Sequence, residues 1–306
     1  MQSKLVSLPT AISKWLPDGS SVVLGACLEA NIPFAATHEL IRQQRCDLHM
    51  IAPISDLSTD LLIGAGCVAE VSGAWVGNVS GGLGHNLRRA VEQGIPRTIT
   101  VHDHSNYSLG LALLAGAYGL PYLPNRTLLG SDLLRSNPEF QEAENPFRAA
   151  EPIVRIPPLT PDVTILSVPR ADEFGNAHHW GNSGVAQEAA LASKRVLLLA
   201  EELVGTEVIH SDPSRVLVPG FRVTAVCHVP AGCHPSPMVG HWKRDSEFFN
   251  DYHRQSRTRE GFAEWVQEWV LGVADHEQYC TKLRERLDTL RIRGQQLSAP
   301  ANYAMD

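Results

Sequence analysis

The chain has 306 residues, of which 43% are hydrophobic and 19% are charged. This composition is typical of a globular protein that buries one large core or two smaller ones, and it excludes the disordered and fibrous classes. The 26 Lys and Arg residues are outnumbered by 33 Asp and Glu residues, so the net charge of −7 has the wrong sign for a protein whose main partner is a nucleic acid.

The six cysteines form no Cys-x-x-Cys pair, which indicates reduced thiols and neither a zinc ribbon nor a disulfide framework. Pro9, Lys14 and Pro17 interrupt the apolar stretch at the N-terminus. The longest apolar run, residues 109–120, is too short to span a membrane. We therefore predict a cytoplasmic protein that is neither exported nor membrane-spanning.

Up to about residue 230, short apolar runs that predict strands alternate with longer stretches that predict helices. The strand runs are SVVLGA, DLHMIAP, CVAEVSG, RTITVH, DVTILSVP, KRVLLLA and RVTAVCHV. The helical stretches are HELIRQQR, STDLLIGAG, HNLRRAVEQG, YSLGLALLAGAYG and GVAQEAALAS, and two of them end at Gly66 and Gly94, where a left-handed cap is expected. Because the strands lack a period of two, they predict an α/β fold with an open, mostly parallel sheet and helices on both faces.

We assign residues 1–244 to this α/β domain and residues 245–306 to a C-terminal helical extension packed on the same domain, ending in a polar tail after Gly294. Five apolar residues of the extension recur at helical spacing and predict packing onto the α/β body: Phe262, Trp265, Val266, Trp269 and Val273. Residues 136–161 are rich in proline and poorly periodic, which predicts an internal excursion or lid.

A Gly-rich stretch, GNVSGGLG at residues 77–84, lies between a strand and a helix. Backbone amides at such a helix start can hold an anion or a developing oxyanion, and Asn78 and Ser80 add side-chain donors. The stretch is neither a Walker loop nor a complete Gly-x-Gly-x-x-Gly fingerprint. By composition alone a plain tight turn is favoured, with a ligand cradle as the alternative.

Two groups of polar residues lie at the ends of predicted strands. His102 and His104 flank Asp103, and alternation places both imidazoles on one side, as in a metal site or an acid–base pair. Because we find no HExxH motif and no distant carboxylate partner, we favour a hydrogen-bonded strand end and predict no metal. Glu201 and Glu202 close an apolar strand where an α/β enzyme places a catalytic group, although an acid at a helix start is favoured. We find no Gly-x-Ser-x-Gly elbow and no cysteine nucleophile signature, so we assign no catalytic residue.

Longer motifs follow one another along nearly the whole chain. They begin with DGSSVVLGAC at residues 18–27 and the pair Ile32 and Pro33, and continue through LLIGAGCVAEV, GLPYLPN, LLGSDL, NPF, FGNAHHWG, AEELV, DPSRVLVPGF, PAGCHPSPM and EWVLGVADHEQYCTKL. This series, from residue 5 to about residue 290, resembles the α subunit of family I CoA-transferases of the glutaconate CoA-transferase type. The first turn departs from the family pattern, because Ala26 and Cys27 stand where a glycine and a phenylalanine are usual, and Asn31 replaces another glycine.

The resemblance implies an open α/β fold and an αβ or α2β2 assembly with a homologous β subunit. It also implies ping-pong transfer of coenzyme A between two carboxylates, with the coenzyme A thioester as substrate and no permanently bound cofactor. The β subunit of such enzymes supplies the nucleophilic glutamate, so this chain would shape the acyl pocket. By the same resemblance, the substrate-binding residues are Gly25, Ala26, Asn78, Ser80, Gly81, Gly82, Ser105, Asn106, Gly130 and Ser131.

Two other functions stay open at this point. Some members of the family use the same scaffold to hydrolyse or decarboxylate an acyl-CoA, which needs an extra acid or base near the acyl group; the loop at residues 102–107 contains no glutamate. A non-catalytic ligand sensor would call for a helix-turn-helix module and a basic face, whereas about 17 residues precede the first strand and the net charge is negative. The transferase is favoured, and the sequence leaves the acid that it uses unidentified.

Overall fold

The computed structural model describes residues 2–293. In chain order its strands are β1 (Ser21–Leu24), β2 (Leu48–Asp56), β3 (Val68–Asn78), β4 (Gly82–Leu83), β5 (Thr100–Asp103), β6 (Leu123–Asn125), β7 (Gln141–Ala143), β8 (Ile153–Ile156), β9 (Val163–Ala171), β10 (Ala177–His178), β11 (Arg195–Leu203) and β12 (Ala225–His228).

The α-helices are α1 (Leu8–Trp15), α2 (Phe34–Arg42), α3 (Ser58–Gly64), α4 (His85–Gln93), α5 (Asn106–Tyr118), α6 (Leu133–Ser136), α7 (Ala186–Ala192), α8 (Thr206–His210), α9 (Ser246–Gln255), α10 (Arg259–Val266), α11 (His276–Lys282) and α12 (Arg284–Leu290). No helix among the described residues is both long enough and apolar enough to cross a membrane.

The main sheet is wound outward from β1 in two directions. Its order is β12-β11-β9-β1-β2-β3, with β5 on the far side of β3, and all of these neighbours run parallel. The two-residue strands β4 and β10 pair antiparallel with β3 and β9. Because the winding reverses beside β1, a crevice forms at the carboxyl ends of the central strands.

Helices cover both faces of this sheet, as predicted. Val22 and Leu24 of β1 lie in the core beneath α1 to α4 and the C-terminal helices, whereas Val23 between them lies in the core beneath α5 and α7. A strand that is buried on both faces has no polar side, which explains why the sequence shows continuous apolar runs. Each predicted strand run overlaps an observed strand, and Gly66 and Gly94 have φ of +80° and +70° at the ends of α3 and α4.

The Pro-rich segment at residues 136–161 contributes two strands, β7 and β8, to a small antiparallel sheet with β6. Strands β6, β8 and β7 pair in that order and, with α6, enclose a separate cluster around Leu128, Phe140, Val154 and Ile156. The sequence analysis predicted no strands within residues 136–161, because runs of three or four residues are too short to show a period.

The C-terminal helices pack onto the same core as the sheet. Of the five residues at helical spacing, Phe262, Trp265, Val266 and Val273 are buried and Trp269 is partly buried against them. Trp265 meets the ring of Tyr252 edge-on, with centroids 4.9 Å apart. The polar tail from Gly294 onward lies outside the described residues.

A buried ionic network holds the last helices in place. Asp245 accepts hydrogen bonds from His234 Nε2 (3.0 Å) and from Arg286, and it caps α9 by accepting from the Phe248 amide (3.0 Å). The other imidazole nitrogen of His234 lies 2.6 Å from the hydroxyl of Tyr279. Burial alone would raise the pKa of Asp245, but the hydrogen bonds from Arg286 and His234 outweigh it and hold that pKa below its usual value.

We predict that Asp245→Asn lowers the free energy of unfolding by about 1–3 kcal/mol, because it weakens the hydrogen bonds that Asp245 accepts from Arg286 and from the buried His234. Since the folded-state pKa is depressed, this contribution is complete at neutral pH and is lost as the pH falls below about 4. Urea denaturation at pH 7 and at about pH 2.5 measures it. Glu247→Gln is the control, because Glu247 also contacts Arg286 (3.2 Å) but is 89% exposed, and equal stability of the two variants would contradict the prediction.

Candidate functional site

The carboxyl ends of the parallel strands meet at one edge of the main sheet, which we call the carboxyl edge. Gly25 follows β1, Asp56 ends β2, Asn78 ends β3 and Glu201 lies near the end of β11. Ligands of open α/β sheets bind outside this edge, next to the point where the winding reverses. The candidate site is therefore built from the loops that follow these strands.

The turn after β1 is shaped by its backbone. Gly25 and Ala26 have φ of +77° and +63°, and a Cβ on Gly25 would lie 3.2 Å from the carbonyl oxygen of Asn31. The Ala26 carbonyl accepts from the Val185 amide (3.0 Å), and the Asn31 amide donates to Pro237 (2.9 Å). Two neighbouring loops thus hold the turn closed, and a larger residue in place of Gly25 would be strained.

The Gly-rich turn after β3 is held from inside by Asn78. The buried side chain of Asn78 donates to the Phe249 carbonyl (2.9 Å) and accepts from the Ser80 amide (2.9 Å), so its amide group shapes the turn and does not face solvent. Ser80, Gly81 and Gly82 are exposed. Of the predicted residues in this turn, these three are the ones that a ligand can reach.

A buried carboxyl group of the chain itself already caps the start of α4. Asp60, fully buried in α3, accepts hydrogen bonds from the Leu87 amide (2.8 Å), from Asn86 (3.1 Å) and from the Tyr252 hydroxyl (2.8 Å). The sequence analysis considered this helix start as an anion cradle and missed Asp60, which lies in a different helix. Any anion held here therefore depends on the exposed turn and not on the first amides of α4.

A buried ion pair joins the loops after β1, β2 and β3. Asp56 is fully buried, lies 2.6 Å from Arg244 and accepts from the Val79 amide (3.1 Å). Arg244 stacks 3.8 Å from the ring centre of Phe249 and also reaches Glu29, 3.8 Å away. Burial raises the pKa of Asp56, and Arg244 opposes that rise. The only sequence signal for this pair was a carboxylate at the end of an apolar strand.

A cavity of about 570 Å³ opens at the end of β11, and Glu201 and Glu202 line it with Arg170, Trp180, His241 and Arg291. Both glutamates belong to the strand, so their interpretation as acids at a helix start is wrong. Glu201 is 7% exposed, and burial raises its pKa to about 7 although it accepts from the Ala231 amide (2.7 Å). Glu202 is exposed, and its carboxylate lies 3.9 Å from His241.

The predicted residues Ser105 and Asn106 follow β5, and this strand ends before the neighbouring strand β3 does. Asp103 pairs with Gly73, so β5 ends five residues before the end of β3, roughly 16 Å along the strand. Ser105 caps α5 by accepting from the Ser108 amide (3.0 Å), and Asn106 is the first residue of that helix.

Gly130 and Ser131 lie in a turn of the small sheet, where the Ser131 hydroxyl donates to Leu128 (2.7 Å). Arg244 connects the loop after β1, through Glu29, to the turn at residues 78–82, through Asp56 and the Val79 amide. Within residues 2–293, no hydrogen bond or ion pair links these loops to the predicted residues at 105, 106, 130 and 131, and a substrate-binding role stays a prediction for every residue of the predicted set.

We predict that Arg244→Met lowers the free energy of unfolding by about 3–5 kcal/mol, because it leaves Asp56 buried without a counter-charge. Adding Asp56→Asn is expected to restore part of the loss, and urea denaturation of the two single variants and the double variant measures this coupling. Arg97→Met is the control, because its ion pair with Asp47 (2.7 Å) is exposed on both sides. Equal losses for Arg244→Met and Arg97→Met would contradict the prediction.

Comparison with known proteins adds independent findings. The family model described as Coenzyme A transferase matches residues 6–228. The chain is 38% identical to the α subunit of the 3-oxoadipate CoA-transferase of Pseudomonas knackmussii, over 92% of this chain and 99% of that protein. It is 30% identical to the α subunit of the glutaconate CoA-transferase of Acidaminococcus fermentans, over 95% of each.

Solved structures show the same similarity. The crystal structure of glutaconate coenzyme A-transferase from Acidaminococcus fermentans superposes with a TM-score of 0.91 and covers 95% of this chain and 96% of its own. A variant of the decarboxylase AibA/AibB superposes with a TM-score of 0.74 at 28% identity, over 87% of this chain and 99% of its own.

Proposed function

The chain belongs to the coenzyme A transferase family, and on this premise we propose that it is the α subunit of a heteromeric acyl-CoA:carboxylate CoA-transferase. The observation that carries the proposal is the match, along almost the full length of both chains, to a protein named as one subunit of such an enzyme. That name implies a second subunit, and we propose a homologous β subunit in an αβ or α2β2 assembly. All six cysteines are free thiols, which supports the cytoplasmic location that we also propose.

In the proposed reaction a glutamate of the β subunit attacks the carbonyl carbon of the acyl-CoA thioester and expels the coenzyme A thiolate. The thiolate then attacks the glutamyl carbonyl of the resulting anhydride, which releases the first acid and leaves a glutamyl-CoA thioester. The second acid attacks this thioester, the thiolate leaves again, and its attack on the new acyl group gives the second acyl-CoA and frees the glutamate. The coenzyme A thioester is a substrate throughout, and no permanently bound cofactor takes part.

The buried acids of the carboxyl edge support a nucleophile that comes from another chain. A nucleophilic carboxylate has to reach the carbonyl carbon of a bound thioester. Asp56 is fully buried against Arg244, and Glu201 is buried and accepts a backbone hydrogen bond. Glu29 and Glu202 are exposed at this edge, so they are the first residues to test if the isolated chain turns over an acyl-CoA.

The substrate that we propose is a short dicarboxylate or its coenzyme A thioester, because the two relatives are named for 3-oxoadipate and glutaconate. We propose that the exposed residues Ser80, Gly81 and Gly82 face the free carboxylate, where a hydroxyl and backbone amides are suitable donors. The turn at Gly25 and Ala26 is assigned to the coenzyme A side. The loops at Ser105, Asn106, Gly130 and Ser131 complete the acyl pocket in this proposal.

Hydrolysis or decarboxylation on the same scaffold is the second candidate, favoured by the similarity to the decarboxylase AibA/AibB. That similarity is weaker in both identity and superposition than the similarity to the glutaconate CoA-transferase. The transferase is the better-supported function. A ligand sensor has no support from these relatives.

We predict that the isolated chain has no acyl-CoA turnover and that co-expression with a homologous β subunit restores it. Transfer from 3-oxoadipyl-CoA or glutaconyl-CoA to a second acid is assayed by following the new thioester. Borohydride reduction of the enzyme–CoA thioester, followed by mass spectrometry, then identifies the modified subunit. Modification of this chain, or full turnover by it alone, would contradict the proposal.

We predict that Ser80→Ala lowers kcat/KM of the assembled enzyme for the acid substrate by about tenfold to a hundredfold, the cost of losing a hydrogen bond to a charged group. The melting temperature is expected to stay unchanged, because Ser80 is exposed. Ser211→Ala, an exposed serine in another part of the chain, is the control and should leave kcat/KM unchanged.

Replacing Gly81 by valine is expected to lower kcat/KM further and also to lower stability, because a Cβ there would lie 2.8 Å from the ring of His253. Unchanged kinetics in a destabilised Gly81→Val enzyme would remove this turn from the site.

A further inference from the structure

Two histidines and a glutamate from three adjacent strands meet at the end of the sheet opposite the carboxyl edge. His49 is the second residue of β2, Glu70 the third of β3 and His102 the third of β5. One nitrogen of each imidazole and one oxygen of the carboxylate all lie within 4.8 Å of one another. The proposed transfer reaction does not use this cluster.

The strand register explains why these side chains share a face. His49 pairs with Glu70, and His102 pairs with Ser72, two residues further along β3. Paired residues, and residues two apart on one strand, point to the same side of a sheet. Accordingly His102 Nε2 lies 3.0 Å from a Glu70 oxygen, His49 Nε2 lies 2.8 Å from the Ser72 hydroxyl, and the two imidazole rings are 5.7 Å apart.

We propose that His49, Glu70 and His102 form a binding site for a divalent transition-metal ion, with Zn²⁺ as the ion that fits its donors. Two imidazole nitrogens and one carboxylate oxygen are a common ligand set for this ion and leave a fourth position for water. Metal–ligand bonds of about 2.0–2.1 Å place tetrahedral donors about 3.3 Å apart, so the cluster has to contract. Side-chain rotation achieves this, because Glu70 is 47% exposed and His102 is 25% exposed.

The ligand pair is not the one that the sequence suggests. His104 lies two residues beyond His102, but its ring packs edge-on against Phe140 at 5.2 Å and its Nδ1 lies 3.4 Å from the Ser108 hydroxyl. The sequence prediction of no metal depended on the lack of a third ligand for the pair at 102 and 104. His49 and Glu70 supply the further ligands from strands 53 and 32 residues upstream, and only the register brings them to His102.

The position of this metal site, far from the carboxyl edge, indicates that a bound ion stabilises the fold and has no part in catalysis. His49 lies seven residues before Asp56, roughly 23 Å from the carboxyl edge along β2, so an ion here does not take part in the proposed transfer. An ion bound by ligands from β2, β3 and β5 would fasten the four-residue edge strand β5 to the sheet. It would also steady the start of α5, which follows β5 after two residues.

The test is a titration of the full-length chain with ZnCl₂ after EDTA treatment and desalting, followed by calorimetry and by melting temperature. We expect one ion per chain, a dissociation constant in the micromolar range or below, and a melting temperature that rises with Zn²⁺ concentration. Co²⁺ is the spectroscopic probe, because intense visible absorption reports tetrahedral nitrogen and oxygen ligation. Binding weaker than about 0.1 mM, or a Co²⁺ spectrum of the hydrated ion, would overturn the proposal.

Variants connect the binding to these residues. Glu70→Gln keeps the shape of a half-exposed side chain, so it is expected to fold normally and to weaken Zn²⁺ binding at least tenfold. His102→Ala is expected to abolish the Co²⁺ spectrum, and His210→Ala, an exposed histidine in α8, is the control. Unchanged affinity in Glu70→Gln and His102→Ala would assign the bound ion to other histidines and overturn the site. Chelation is expected to leave turnover of the assembled enzyme unchanged, and loss of turnover would overturn the stabilising role.

Discussion

The buried ion pair between Asp56 and Arg244 is the constraint on which the carboxyl edge depends. A buried carboxylate loses its hydration and is tolerated only when a counter-charge and hydrogen bonds replace the lost water. Arg244 supplies the charge, and the Val79 amide supplies a hydrogen bond. Because Arg244 also reaches Glu29, one guanidinium connects the loops that follow three neighbouring strands. The relative position of these loops is therefore fixed by electrostatics as well as by packing.

Helix α9, although it belongs to the C-terminal extension, shapes the same edge. The guanidinium of Arg244 stacks on the ring of Phe249, and the backbone carbonyl of Phe249 accepts a hydrogen bond from the Asn78 side chain. Tyr252 donates to Asp60, which caps α4, and His253 closes the space beside Gly81. Residues of one helical turn thus contact the Gly-rich turn at Asn78 and beside Gly81. The extension is part of the framework of the site and more than a cover for the core.

The sequence predicted the parallel strands of the main sheet and most of the helices that cover it. It did not predict which side chains these elements bring into contact. Parallel strands buried on both faces are visible as apolar runs, and the glycines that end α3 and α4 have a conformation that few other residues adopt. The strands β7 and β8 of the small sheet were missed because they have three or four residues. Arg244 and the cap from Asp60 were missed because each acts on residues far away in the chain. Such contacts depend on register and packing, which periodicity does not encode.

Three acids at the carboxyl edge of this chain have structural roles. Asp56 orients loops and Asp60 caps a helix, while Glu201 lies buried in a strand. Since Asp60 already accepts the Leu87 amide at the start of α4, we propose that a substrate carboxylate is bound by the exposed turn at residues 80–82 together with groups from the second subunit. In this proposal the acyl pocket is complete only at the interface of the two chains. Substrate choice in such an enzyme is a joint property of the α and β subunits.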